Sequence, residues 1–448
     1  MATKTIEELT RAIQLEPNSA KAYSERGDAY FLKEDDDKAI EDYTQAINLV
    51  SDDTEKLHIT GKLHLCNKNY NEAIVNFTQA IKLNPNNAEY YDSRSCAYHE
   101  KKDYDKAIED LTRAIILDPN NAHYYDNRGC EYYFKDDYDK AIENFTQAIS
   151  LEPNNADYYF WRGRAYYSKE DYDKAIEDCT RAISLEPNEA WHFSLRGIAY
   201  HGKNDDDKAI EDYTRAISLN PNEAWHYFRR GEAYRLKDEK DYGKAIEDYT
   251  KAINLDPNYA DYYSMRGIAY YLNNDDDKAI EDYTHAIRLE PDAADNYLRR
   301  GNAYYEKEDH DKALGDFTQV IQLTHNDEYD HYVAYHGRGN VHYFKGEYDK
   351  AIEDYTQAIH FAFFDDEKIY LTGKVYLCKK DYDKAIENFT QAIQDALDLC
   401  TCHYWRGKAY HDKGDHIRAR ADYETVLQLK PDSFVASLSK KELEQLEE

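Results

Sequence analysis

Basic residues are scarce in this chain. Its 448 residues set 57 Lys and Arg against 89 Asp and Glu, a formal net charge of −32 at pH 7. Nucleic acid and anionic membrane surfaces demand a basic footprint, so direct binding to either is not expected. Long apolar runs are missing as well. None approaches the ~20 residues of a membrane-spanning helix, and the opening MATKTIEELTRAI has no apolar signal core. The expectation is a cytoplasmic protein with no membrane partner. Cysteine is sparse and odd in number, seven in all, which reads as free thiols in a reducing compartment. Apolar residues are few too, at 42%, with a mean hydropathy of −0.94, close to the disordered class. What is present argues the other way: 14% of residues are aromatic and 45 are Tyr, whereas disordered chains are poor in aromatics.

Only nine prolines occur, and they betray a period. Pro85, Pro119, Pro153, Pro187 and Pro221 lie 34 residues apart, as do Pro257 and Pro291. Pro17 precedes Pro85 by two periods, with Ser51 at the midpoint, and Pro431 follows Pro17 by twelve periods plus six residues. Two of the six extra residues fall in DEKDYG (238–243) and four in NDEYDHYVAYHGRG (326–339). His325, Phe363 and Leu397 take the proline place elsewhere. A fixed period of this size decides the architecture.

Each period reads helix, turn, helix. In residues 156–187, Tyr159, Gly163 and Tyr166 recur at i, i+4, i+7. Ala175, Ile176, Cys179, Ala182 and Ile183 form a second stripe. The polar KEDYD between them offers an Asp to cap the second helix. Pro-Asn-Asn ends that helix, Asn being tolerant of the left-handed conformation. Neither stripe can be buried within one unit, so neighbours must stack.

The chain thus resembles the tetratricopeptide repeat family, whose pattern is an aromatic, Leu-Gly, Tyr, a small Ala, an aromatic, Ala and Pro. In the first unit these are Tyr23, Arg26-Gly27, Tyr30, Ala39, Tyr43, Ala46 and Ser51. The expected organisation is a half-repeat at 1–17 and twelve repeats in one solenoid over 18–431. Their bounds are 18–51, 52–85, 86–119, 120–153, 154–187, 188–221, 222–257, 258–291, 292–325, 326–363, 364–397 and 398–431. A capping helix follows at 432–448. The resemblance implies an all-α solenoid wound as a right-handed superhelix, with first helices lining a concave groove that binds peptides or protein segments. The half-repeat leaves Leu9 and Ile13 with an uncovered flank. Either the chain is trimmed there or the flank meets another chain, a route to a homo-oligomer.

One departure from the family is systematic. The residue before the glycine is Arg in ten repeats: Arg26, Arg94, Arg128, Arg162, Arg196, Arg230, Arg266, Arg300, Arg338 and Arg406. It is Thr60 and Thr372 in the other two. The residue before the second-helix aromatic is Asp42, Asp110, Asp178, Asp212, Asp248, Asp282, Asp316, Asp354 or Asp422, and otherwise Asn76, Asn144 or Asn388. Both Thr repeats carry Asn. This covariation predicts a partly buried Arg–Asp pair between the two helices of a repeat, since guanidinium presents a planar fork to a carboxylate.

Chemistry-bearing motifs are lacking. There is no Gly-rich phosphate loop, HExxH or nucleophile elbow, so no enzyme and no cofactor are expected. Cys400-Thr401-Cys402-His403 is the best metal candidate, but it offers at most three ligands at poor spacing, so no metal is expected. By resemblance, the groove is most aromatic in repeats 4 to 7: Tyr133 and Phe134; Phe160, Arg164 and Tyr167; Trp191, Ile198 and His201; Trp225, Phe228 and Arg235. Aromatic and Arg residues dominate hot spots. Glu55, Glu89, Asp92, Asp126, Asp157, Glu232, Asp261 and Asp295 fall near the same surface, so a basic or basic-apolar protein segment is the expected partner.

Two other readings compete with this scaffold. One is a co-chaperone-like clamp for an acidic tail, echoed by Gly301-Asn302 and Gly339-Asn340, although Leu298 and Glu25 stand where the clamp wants cations. The other is a self-assembling structural solenoid. Repeats 2 and 11 resemble each other more than their neighbours, as EKLHITGKLHLC and EKIYLTGKVYLC, each with a lysine after the glycine, Lys62 and Lys374.

Overall fold

The computed structural model describes residues 5–237, 240–324, 328–395 and 397–446. His325, and parts of the two insertions (residues 238, 239, 326 and 327), lie outside the described residues. The described residues form 26 helices and no strand. After a first helix (Ile6–Leu15) the helices come in pairs, here called A and B of each repeat. Within each compact unit the helices pack on their chain neighbours, and successive A helices also touch, as at Ala156–Ser168 and Ala190–Gly202. This is an α-solenoid. It divides into two compact units, Met1–Pro221 and Asn222–Glu448, with repeats 1–6 in the first and repeats 7–12 in the second.

The glycine of each repeat is a contact, not a turn. A Cβ built on Gly27 would stand 2.7 Å from the Tyr43 ring, and one on Gly61 only 2.4 Å from Phe77. Helix B thus presses its aromatic edge onto helix A at a point where only hydrogen fits. Repeat 3 tests this reading. It has Ser95 instead of Gly, and there the facing residue is Leu111, which lacks a ring edge; both are buried. The two Ala of most B helices, such as Ala39 and Ala46, are fully buried and allow the same close approach; Val320 and Val426 take the second place in repeats 9 and 12.

Helix starts follow the sequence closely. Asp35, Asp103, Asp137 and Asp171 each accept a hydrogen bond from the N–H three residues on. One expectation is corrected. The Asn after Pro does not take the left-handed conformation; Asn87, Asn121 and Asn155 instead have extended backbones and cap the next A helix with their side chains. The left-handed residue sits in the A–B turn, at Glu34, Asp136 and Glu170 among others. An Asn side chain gains more by accepting an orphan N–H than by tolerating a strained φ. The four-residue insertion lengthens a helix: helix A of repeat 10 runs Glu328–Phe344, 17 residues against the 13 of Ala122–Phe134.

Candidate peptide-binding face

The arginine before each glycine does more than pair with an aspartate. Arg26 donates from Nε and Nη2 to the two oxygens of Asp42, at 2.7 and 2.8 Å. Arg162 and Asp178, Arg196 and Asp212, and Arg230 and Asp248 form the same fork. So do the pairs led by Arg94, Arg266, Arg300, Arg338 and Arg406. The third arm, Nη1, donates to a threonine of the preceding B helix: Arg26 to Thr10, Arg162 to Thr146, Arg196 to Thr180. One side chain therefore ties its own two helices and the previous repeat. Sequence reasoning missed the threonine, though its signal was present in the recurring Thr-x-Ala-Ile of the B helices. Neighbouring carboxylates hold Arg26 and Arg196 above the ordinary guanidinium value. Arg128, facing the neutral Asn144 with a single bond, is instead lowered by burial. In repeats 2 and 11 the fork is absent: Asn76 and Asn388 turn back to their own helix, to the carbonyls of Glu72 and Lys384.

The residues expected to line the groove divide between the two units. In the first, Tyr133, Phe134, Phe160 and Arg164 converge on Trp161. Its ring lies 5.9 Å from both Tyr133 and Phe160 and 6.4 Å from Phe134, with the Arg164 guanidinium over it at 4.9 Å. Trp161 was not singled out from the sequence. Tyr167 stacks near Tyr172, Ile198 is half-buried, and His201 Nδ1 pairs with Asp206. Phe134 and Trp191 are exposed, each at 41%. In the second unit, Trp225 lies beneath Arg229 at 4.1 Å, and Arg235 sits beside the buried Tyr249. Phe228 corrects the expectation. It is 6% exposed and packs on Trp225, Tyr249 and Tyr262, a core residue with no free face.

A further pocket of the first unit lies elsewhere, on the A helices of repeats 1 to 4 with Tyr43 from a B helix. It encloses about 250 Å³ among Phe31, Leu32, Leu65, Tyr43, Lys62, Asp28, Glu89, Asp92, Ser93, Cys96 and His123. At its centre Lys62 Nζ donates to Asp28 Oδ2 and Glu89 Oε1, both at 3.1 Å. Burial alone would lower this lysine, but the two carboxylates outweigh it and keep the amine charged. His58 behind it is buried, held well below the usual imidazole range, and bonded to Ser93. Burial raises the carboxyl of Asp92. One helix on, Asp126 is pushed up to about 7 by burial, against a favourable His123, with Asp157 adding repulsion; its Oδ1 is buried with no hydrogen-bond partner. The wall is thus short of cations.

No convergence of metal ligands appears among the described residues. Cys400 and Cys402 are buried in the core, and His403 Nδ1 pairs with Asp422 Oδ1 at 2.7 Å. That extra partner has an effect: burial raises Asp422, but Arg406 and His403 together bring it below the usual range. Asn340, the residue echoing a carboxylate clamp, already accepts from Tyr355 Oη at 3.0 Å and Lys374 Nζ at 2.6 Å.

Comparison with known proteins places these features in a family. Profiles described as tetratricopeptide repeat match residues 20–53, 61–87, 88–121, 127–190, 295–323, 332–362 and 400–433, and TPR repeat profiles match 199–238, 234–274 and 267–307. No curated protein matches the chain by sequence. Among solved structures, MamA is 28% identical over 36% of this chain and 94% of its own, with a TM-score of 0.34. YrrB, "a TPR protein with an unusual peptide-binding site", is 24% identical over 42% of this chain and 95% of its own, at 0.35. The yeast Tom70 is 17% identical over 88% and 95%, at 0.36.

Proposed function

Given that the chain belongs to the tetratricopeptide repeat family, we propose that it is a non-enzymatic scaffold whose A-helix face binds a basic, partly apolar segment of another protein. The observation that carries this is the pocket around Lys62. Its apolar lining is the buried Leu65 with the exposed Phe31 and Leu32, and the same lining carries Asp28, Glu89 and Asp92. Lys62 is already engaged by Asp28 and Glu89, so the surplus is negative. An apolar side chain fits the apolar lining, and a flanking Lys or Arg answers the carboxylates. The unpartnered, buried Asp126 extends the same acidic lining. The chain-wide charge of −32 favours approach of a basic partner.

The reading is tested by titrating the protein with short peptides in which Lys alternates with Leu, and with the matching Glu–Leu peptides. Tight binding of the basic set alone is expected. Because Asp126 is neutral below about 7 and anionic above it, affinity rises on going from pH 6 to pH 8. Asp92→Asn with Asp126→Asn removes most of the binding and its pH dependence. Equal affinity for the acidic peptides, or unchanged affinity in the double variant, refutes the assignment. Trp191→Ala reports on the aromatic stretch in the same assay.

A further inference from the structure

The A-helix face of repeats 9 to 12 is filled by the protein's own side chains, around a lysine with no carboxylate partner among the described residues. Lys374, on helix A of repeat 11 (Asp365–Cys378), is 1% exposed. Its Nζ donates to Asn340 Oδ1 at 2.6 Å and to His336 Nε2 at 2.9 Å, both on helix A of repeat 10. The rings of Trp405, Tyr370 and Tyr355 stand 4.1, 4.8 and 5.2 Å from it. Among the described residues no carboxylate forms an ion pair with it. The titratable groups facing it are His336 from helix A and Tyr355 from helix B of repeat 10. Tyr370 and Cys378 come from its own helix, and Cys402 from helix A of repeat 12. The acids around the box act on other groups: Asp412 on Tyr343, Glu442 on Tyr404, Glu367 on Tyr332. Burial holds both Lys374 and His336 well below their ordinary ranges. Both hydrogen bonds run to acceptors that bring no carboxylate, an amide oxygen and an imidazole nitrogen.

The box is walled, and the wall ends at the C-terminal helix (Phe434–Gln445). Trp405 meets Tyr343 at 4.9 Å and Phe344 at 5.9 Å; Phe344 meets Tyr305 of repeat 9 at 6.1 Å; Tyr305 meets Phe434 edge-on at 5.3 Å. Lys441 pairs with Glu308 of repeat 9, 133 residues away in sequence. Glu442 accepts from Lys408 at 3.0 Å and lies 3.0 Å from His411 Nδ1, both on helix A of repeat 12. The C-terminal helix therefore spans from repeat 12 to repeat 9. Between it and the wall remains a pocket of about 210 Å³, lined by Tyr305, His310, Phe344, Tyr404, Phe434 and Leu438 among others.

We propose that this face is closable, with the C-terminal helix as its strap and proton uptake by Lys374 as the event that opens it. An ammonium sealed in the box has neither water nor a carboxylate, a penalty of several kcal/mol. Relief requires Trp405 to yield, and the contact chain from Trp405 through Phe344 and Tyr305 to Phe434 carries that movement to the strap. The closed state binds fewer protons than the open one, so acidification favours opening.

Hydrogen exchange of the full chain between pH 6 and pH 9, corrected for the intrinsic rate, tests this. Protection of 434–445 and of helix A of repeat 12 falls on acidification, by up to tenfold per pH unit for one linked proton, while repeats 3 to 6 stay level. Lys374→Met abolishes the slope and leaves the strap protected throughout. Asn340→Asp supplies the charge partner and abolishes it too. Glu308→Gln loosens the strap at every pH and keeps the slope. Flat protection in the parent chain, or an unchanged slope in Lys374→Met, overturns the proposal.

Discussion

Lys62 and Lys374 occupy the same place in two repeats of nearly the same sequence, and their states are opposite. Lys62 stands between Asp28 and Glu89, charged, in an open pocket. Lys374 stands between Asn340 and Trp405, sealed and pushed by burial well below the ordinary lysine range. The difference lies wholly in the neighbours. Asp28 and Asn340 are equivalent, each 34 residues before the lysine; Ser93 and Trp405 are equivalent, each 31 after; His58 and Tyr370 are equivalent within the helix. A residue type at a fixed repeat position thus carries no fixed chemistry. Burial and the three or four groups around it decide whether it is a surface cation or a core amine.

The comparison breaks most forcefully at Trp405. Trp405→Ser installs the residue found at Ser93 and removes the wall over Lys374. Trp405 is 3% exposed, so the substitution leaves a large cavity and costs about 3–5 kcal/mol, read by chemical denaturation. It also admits water to Lys374, which relieves the burial that holds the amine below its ordinary range. Retention of parental stability would mean that the wall contributes little packing.

The lysines themselves give a smaller effect of opposite sign. Lys374→Met replaces an amine that has lost its hydration with an apolar side chain of similar shape, and stabilises the second unit by about 1–4 kcal/mol at pH 7. The gain shrinks as pH rises, because the parent closed state suffers only while the open chain holds a proton that the box refuses. Lys62→Met instead leaves Asp28 and Glu89 without their shared cation. Those carboxylates are partly exposed, so the loss is about 0.5–1 kcal/mol. Thermal unfolding of both variants at pH 7 and pH 9 checks the two signs together.

Much of this molecule was legible from spacing alone. The proline period fixed the repeat, and the glycine–aromatic rhythm marked where helix B crosses helix A. The correlated Arg and Asp gave the fork. What escaped was whatever depends on three repeats at once. The threonine arm of the forks, as from Arg162 to Thr146 and from Arg266 to Thr250, comes from the preceding repeat. Phe228 read as a groove aromatic because its place in the period faces the groove, yet it packs among Trp225, Tyr249 and Tyr262. The seal over Lys374 draws on repeats 9 to 12 and on the C-terminal helix. The position of Asn after Pro was visible, but its role was not, since capping and left-handed backbone both favour Asn.

The likeness of repeats 2 and 11 has a physical account in the fork they lack. Within each unit Arg elsewhere ties a repeat to its predecessor through threonine. Here Thr60 and Thr372 stand in its place, and Thr44 and Thr356 keep their bonds to the carbonyls of Ile40 and Ile352, as Thr250 and Thr284 do to theirs, without an arginine arm to accept. The lysine two residues on makes the missing connection: Lys62 reaches back to Asp28 and forward to Glu89, while Lys374 reaches back to Asn340 and forward to the Trp405 ring. Grafting the fork into repeat 2 sharpens the argument. Thr60→Arg with Asn76→Asp places guanidinium and carboxylate as Arg26 and Asp42 are placed, with Thr44 free to accept the third arm. The expected gain is about 1 kcal/mol or less, given the partial exposure of such pairs. The decisive quantity is the coupling. If lysine and fork do the same work, Lys62→Met costs less in the grafted background than in the parent, by a few tenths of a kcal/mol in a double-mutant cycle. Strict additivity would show that Lys62 serves the pocket alone and that the two ties are unrelated.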